Sequence, residues 1–197
     1  MTMFDVDDLE TIRHRGTGVR PSGEVLRTYD LTVIAADVDG VVTAAGGWLC
    51  DRVRAGWRVT VLVPAESDVS ALTILGVHAE VVPSAVEVLG RPAAAVAIDA
   101  RVLRHDDGIR QAVLRLVDAG RCEVTLWGAS ALFGSDGRFD AVRHRLSAAA
   151  RAFKTGALRT TGQLTAELTS ESASEEFVST GLWYAPDGAD LVPIARR

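Results

Sequence analysis

The stretch from Leu31 to Val63 constrains the fold more than any other part of the chain. Leu31–Ala36 is an apolar run of strand length. A helical segment follows, opening at about Val41 or Gly46 and running to Ala55, with Trp48, Leu49 and Val53 at helical spacing. Gly56 is a natural stop, and Trp57–Val63 is a second apolar run. A strand that is apolar at nearly every position is covered on both faces, as in parallel sheets. A helix joining two such strands makes a βαβ unit with a right-handed crossover. Open sheets of this kind bind ligands beyond the carboxyl ends of their strands. The run Asp37-Val38-Asp39-Gly40 falls at that place.

The alternation continues downstream. Asp68–Leu75 reads as a short helix with Ser67 as its N-cap, Val77–Val82 as a strand, Ser84–Leu89 as a helical turn and Ala94–Ile98 as a strand. Val102–Ala119 reads as one long helix, Cys122–Trp127 as a fifth strand, and Phe139–Leu158 as a helix with Phe139, Val142, Leu146, Ala150 and Phe153 on its apolar stripe. Strands and helices at this spacing predict an α/β fold: a doubly wound, mostly parallel, five-stranded sheet, Rossmann-like or flavodoxin-like. Phe177–Ala185, Pro186-Asp187-Gly188 and Leu191–Ala195 predict a C-terminal β-hairpin. The expected organisation is an arm over 1–30, the α/β domain over 31–159, a polar connector over 160–176 and the hairpin appendage over 177–197.

A chain of 197 residues with 48% hydrophobic content has ample material for one core. Its net charge of −5 argues against a globally nucleic-acid-binding surface. Lys154 is the single lysine; the other cationic side chains are arginines. Cys50 and Cys122 both sit in apolar surroundings and read as buried free thiols rather than a disulfide. Met1–Asp8 lacks the apolar core of a signal peptide, and no apolar run approaches the roughly 20 residues that span a bilayer. The expected location is therefore cytoplasmic, without membrane contact.

Asp37-Val38-Asp39-Gly40-Val41-Val42-Thr43, directly after an apolar strand, resembles the opening motif of the haloacid-dehalogenase-like phosphatases. That resemblance implies Asp37 as a nucleophile forming an aspartyl phosphate and Asp39 as a general acid/base. It implies Asp99, at the end of the fourth strand, as a third acid, with Mg²⁺ held by Asp37, Asp39 and Asp99. The chain departs from the family where Pro64 replaces a phosphate-binding Thr or Ser, with Ser67 three residues later.

Three further groupings carry candidate chemistry. Thr43-Ala44-Ala45-Gly46-Gly47 reads as a turn opening a helix, where free N–H groups attract anions. Arg104-His105-Asp106-Asp107-Gly108 sets a histidine beside two acids at a helix start. Arg138, Arg143, Arg145, Arg151, Lys154 and Arg159 give the 138–159 helix a basic face. The acidic residues Glu167, Glu171, Glu175 and Glu176 could fold back against that face. With no complete catalytic constellation, the expectation is a non-catalytic protein without a cofactor or metal. It would bind a small ligand, nucleotide or phosphate-bearing compounds included, or a protein partner. The ligand would contact Asp37, Asp39, Gly40, Gly46, Gly47 and Ser67. The alternatives are the Mg²⁺-dependent phosphatase and a nucleic-acid-associated protein using Arg143, Arg145, Arg151 and Lys154. Self-association through the edge strand or the hairpin bearing Trp183 is left open.

Overall fold

The computed structural model describes residues 29–81, 84–128, 137–163, 173–181 and 190–194. Most of the 1–30 arm, His14, part of the 160–176 connector and most of the expected hairpin, with Trp183, lie outside these residues.

Strands β1 (Asp30–Ile34), β2 (Arg58–Leu62), β3 (His78–Glu80), β4 (Ala95–Asp99) and β5 (Glu123–Trp127) pair in parallel in the order β3-β2-β1-β4-β5. The sheet continues antiparallel through β7 (Ser174–Ser179), β6 (Asp140–Arg145) and β8 (Val192–Pro193). The result is one mixed, eight-stranded sheet rather than five strands with an appended hairpin. β7 and β8 are not paired with each other; both flank β6.

Among the described residues, six helices cover the two faces. On one face, α1 (Val38–Arg54), α2 (Ser70–Leu75) and α6 (Ala148–Thr160) pack on Leu31, Val33, Val59, Val61, Ala95 and Ala97. On the other, α3 (Ala85–Leu89), α4 (Ala100–His105) and α5 (Asp107–Ala119) pack on Ile34, Leu62, Val96, Ile98, Val124 and Leu126. Successive strand residues point to opposite faces, so each central strand feeds both layers and reads as a continuous apolar run.

Several predicted boundaries move, each for a local reason. The long 102–119 helix is two helices, because the Asp106 side chain accepts from the Ile109 N–H and caps a new start. Ser67 is not the N-cap of α2; its hydroxyl donates to the Pro64 carbonyl, and Asp68 accepts from the Ser70 N–H instead. The predicted 139–158 helix divides into β6 and α6. Within Asp140–Arg145 only Val142 and His144 are buried, a period of two, and Ser147 caps a helix that starts at Ala148. Phe153, assigned to the apolar stripe, is largely exposed. The two cysteines are buried and free, and no helix among the described residues is long and apolar enough to cross a membrane.

Candidate functional site

The carboxyl edge of β1 and β4 carries the densest convergence of predicted site residues. Asp37 follows β1 and is the N-cap of α1, its Oδ1 accepting from the Gly40 N–H at 2.6 Å. Asp99 ends β4, is 1% exposed, and caps α4 by accepting from the Arg101 N–H at 2.9 Å. The chain order β1-β4 makes these two strand ends neighbours, and the Arg101 side chain joins them. Its Nε and Nη2 donate to Asp99, Nη2 at 2.6 Å, and its Nη1 donates to Asp37 Oδ2 at 2.7 Å. A guanidinium forked onto one carboxylate and reaching a second is held in a fixed orientation. Partial burial pushes the Asp37 carboxyl up, but the Gly40 N–H and the Arg101 guanidinium outweigh it and hold the group below its usual value. The hydrogen bonds to Asp99 hold Arg101 firmly in its charged form, against the opposing effect of partial burial.

Gly40 is needed beside this assembly. A Cβ there would stand 2.0 Å from Arg101 Nη2, so any side chain would displace the guanidinium. Asp39, in the first turn of α1, is exposed and accepts from Gln163 Nε2 at 3.3 Å. A groove of about 360 Å³ opens alongside, walled by Ile34, Leu62, Pro64 and Val102, with Arg101 and His105 contributing polar groups. The turn after β2 that borders it holds Glu66 at φ 66, a left-handed conformation uncommon outside glycine.

Other predicted site residues lie elsewhere. Gly46 and Gly47 do not open a helix. They are buried in the middle of α1, which begins at Val38, so the reading of a helix-opening anion turn is corrected. Ser67 lies on the loop after β2, bonded to Pro64. Arg143 and Arg145 are on strand β6, not on a helix with Arg151 and Lys154. Arg143 pairs with Glu176 at 2.6 Å, and Arg151 donates to the Leu146 carbonyl. Lys154 is buried and pairs with Glu175 at 2.6 Å. The acidic segment does fold back as far as Glu175 and Glu176 are concerned, and it removes the continuous basic face that the nucleic-acid alternative requires.

Two buried polar assemblies were not legible as such. Glu175, from β7, reaches into the middle of α1 and accepts from the Gly47 and Trp48 N–H groups at 2.9 and 2.7 Å. Lys154 Nζ donates to the same carboxylate and to the Thr43 carbonyl, both at 2.6 Å. Near the end of α1, His144 lies between Asp51 Oδ2, 3.0 Å from Nε2, and Asp190, whose carbonyl is 2.7 Å from Nδ1. Burial lowers the pKa of His144, but its bonds to the Asp190 and Asp51 carboxylates more than reverse this and raise it to about 9. Arg52 lies 4.1 Å from the Trp57 ring centroid and 4.9 Å from that of Trp48, and its Nε is 2.5 Å from Asp190 Oδ2. Ser147 Oγ donates to Asp51 and not to the imidazole, so this cluster has no nucleophile–base contact.

Among the described residues, no group of three His, Cys, Asp or Glu side chains converges to hold a metal ion. At the carboxyl edge the Arg101 guanidinium bridges Asp37 and Asp99, where the phosphatase reading needs a cation, and Asp39 faces Gln163. The donor set does not fit the Mg²⁺ centre.

No family model and no curated protein matches the sequence. Solved structures do match in fold. A deacetylase triple mutant of the teicoplanin biosynthetic pathway superposes with a TM-score of 0.52 at 14% identity, over 77% of this chain and 96% of that one. A deacetylase–teicoplanin complex gives 0.52 at 15% identity, over 76% and 96%. The A40926 pseudoaglycone deacetylase gives 0.50 at 14% identity, over 86% and 98%. The fold is shared with these deacetylases. This overturns the expectation of a non-catalytic ligand- or partner-binding protein, which rested on incomplete motifs: the matching scaffolds are those of enzymes.

Proposed function

We propose that the chain is a hydrolase of the deacetylase kind, cleaving an N-acetyl amide at the carboxyl edge of β1 and β4. The observation that carries this reading is the fixed Arg101 guanidinium, clamped by Asp37 and buried Asp99 beside an open groove. It stands where open α/β sheets place their ligands, on a scaffold whose solved counterparts are deacetylases. The order β3-β2-β1-β4-β5 supports the finer reading of the parallel strands as a Rossmann-like sheet, with the β1/β4 boundary as its switch point.

Each residue then has a definite task. Asp39, the exposed carboxylate not engaged by Arg101, removes a proton from the attacking water. The water oxygen bonds to the acyl carbon while the carbon–nitrogen bond breaks, and the proton ends on the departing amine. Arg101 faces the amide oxygen as negative charge develops there. Asp37 and Asp99 are positioning residues acting through Arg101, and no step passes through a metal.

The test is acetate release from a panel of N-acetyl amines and N-acetyl-amino sugars, with teicoplanin included. Wild-type protein is expected to release acetate. Asp39→Asn is expected to lose about 100-fold or more of kcat, the range for a positioned base, with an unchanged unfolding temperature. Absence of acetate from every substrate, or full activity in Asp39→Asn, overturns the proposal.

A further inference from the structure

At the opposite, amino-terminal edge of the sheet lies a second and larger cavity, of about 650 Å³. It forms where α3 hands over to β4 and α5 hands over to β5. Those strand starts are adjacent, since the Glu123 N–H donates to the Ala94 carbonyl at 3.1 Å. The wall is apolar: Leu89 from α3, Pro92 before β4, Val96 from β4, Leu116 from α5 and the buried Cys122. The size falls within the range of small-molecule sites.

The charges at this cavity are of one sign. Arg91 and Arg121, both exposed, belong to its lining, which includes no carboxylate. Four other exposed arginines are paired with acids: Arg58 with Asp30, Arg110 with Asp107, Arg138 with Asp118 and Arg143 with Glu176. Among the described residues, the guanidinium groups of Arg91 and Arg121 have no hydrogen-bond or ion-pair partner. An apolar cleft with two unpaired guanidinium groups, on a chain of net charge −5, is complementary to a molecule with an apolar body and an anionic head. Arginine forks match carboxylates in shape as well as charge.

We propose that this groove binds a small amphiphilic carboxylate, its chain along Leu89, Val96 and Leu116 and its head between Arg91 and Arg121. The site is on the opposite edge of the sheet from Arg101 and does not rest on the hydrolase reading.

Calorimetric titration of the full chain tests it, with decanoate, decanol and decyltrimethylammonium as probes, each below its aggregation concentration. Decanoate is expected to bind at one per chain, and decyltrimethylammonium is expected not to bind. The double reversal Arg91→Glu/Arg121→Glu is expected to weaken decanoate at least tenfold. Ala119→Trp, which fills the groove from its α5 wall, is expected to abolish binding, with the circular dichroism of both variants unchanged. Lack of decanoate binding to wild type overturns the proposal. So does equal binding of decanol together with indifference to the charge reversal.

Discussion

Lys154→Met isolates the contribution of a deeply buried ion pair. The Lys154 and Glu175 side chains are 5% and 3% exposed, and the carboxylate is tied to the Gly47 and Trp48 N–H groups as well as to the ammonium. Methionine fills nearly the same volume as the lysine stem, so the perturbation removes charge and donors and leaves packing nearly intact. It strands a buried carboxylate without its counter-ion and takes the ammonium donor away from the Thr43 carbonyl. Removing one partner of a buried pair costs about 3–5 kcal/mol. A domain of this size has about 5–15 kcal/mol in total. At about 2–4 °C per kcal/mol, the melting temperature should fall by about 6–20 °C. Urea unfolding followed by tryptophan fluorescence measures the change, with the slope as a check on two-state behaviour. Glu175→Gln in the same background removes the stranded charge. Lys154→Met/Glu175→Gln should therefore be no less stable than Lys154→Met alone, an interaction energy that a double-mutant cycle reads directly. A single-variant loss within about 0.5 kcal/mol of zero, the size of an ordinary surface substitution, would refute the argument that this pair bridges α1, α6 and β7.

The same face supplies two further tests. His144 is raised from 6.5 to about 9 by Asp190 and Asp51 against the opposing effect of burial. A raised folded-state value means its stabilisation is complete below about pH 6.5 and is lost as pH rises through 9. Unfolding free energy should therefore fall by on the order of 3 kcal/mol across that window, and a His144→Gln variant should show no such slope. At Gly47, an added Cβ would stand 2.4 Å from Leu146 Cδ2. The roughly 1 kcal/mol that alanine gains over glycine in a helix is then offset by overpacking of about 1–3 kcal/mol. Gly47→Ala should lower the urea midpoint, and Leu146→Val should restore part of the loss; a stabilised Gly47→Ala would show that the site has room.

The sequence was most legible where local physics and tertiary structure agree. Apolar runs of strand length separated by glycine stops gave β1, β2, β4 and β5, because strands buried on both faces need no partner to declare themselves. Asp37 and Asp99 were legible for the same reason, since one closely follows and the other ends a recognisable strand. Arg101 was not singled out, although it stands two residues after a strand-ending acid, where its side chain can fold back onto that carboxylate. Nothing local announces that it also reaches Asp37, 64 residues earlier. Asp140–Arg145 shows how an apolar spacing can mislead: Val142 and Leu146 fit a helix, yet pairing with β7 and β8 makes the segment a strand. Once β6 is a strand, Arg143 and Arg145 leave the helix that carries Arg151 and Lys154, and the basic face is divided.

What the chain determined by itself is the parallel α/β layering, because hydrophobic period and glycine placement act over a few residues and survive any arrangement of neighbours. What only the tertiary structure decided is the destination of its buried charges. Glu175 in the interior of α1, His144 between Asp51 and Asp190, and Arg101 across β1 and β4 are each fixed by partners 64 to 128 residues away for the hydrogen bonds that matter most. A charged side chain can be buried only if folding brings donors and acceptors to meet it, and that meeting depends on strand order rather than on the residues beside it.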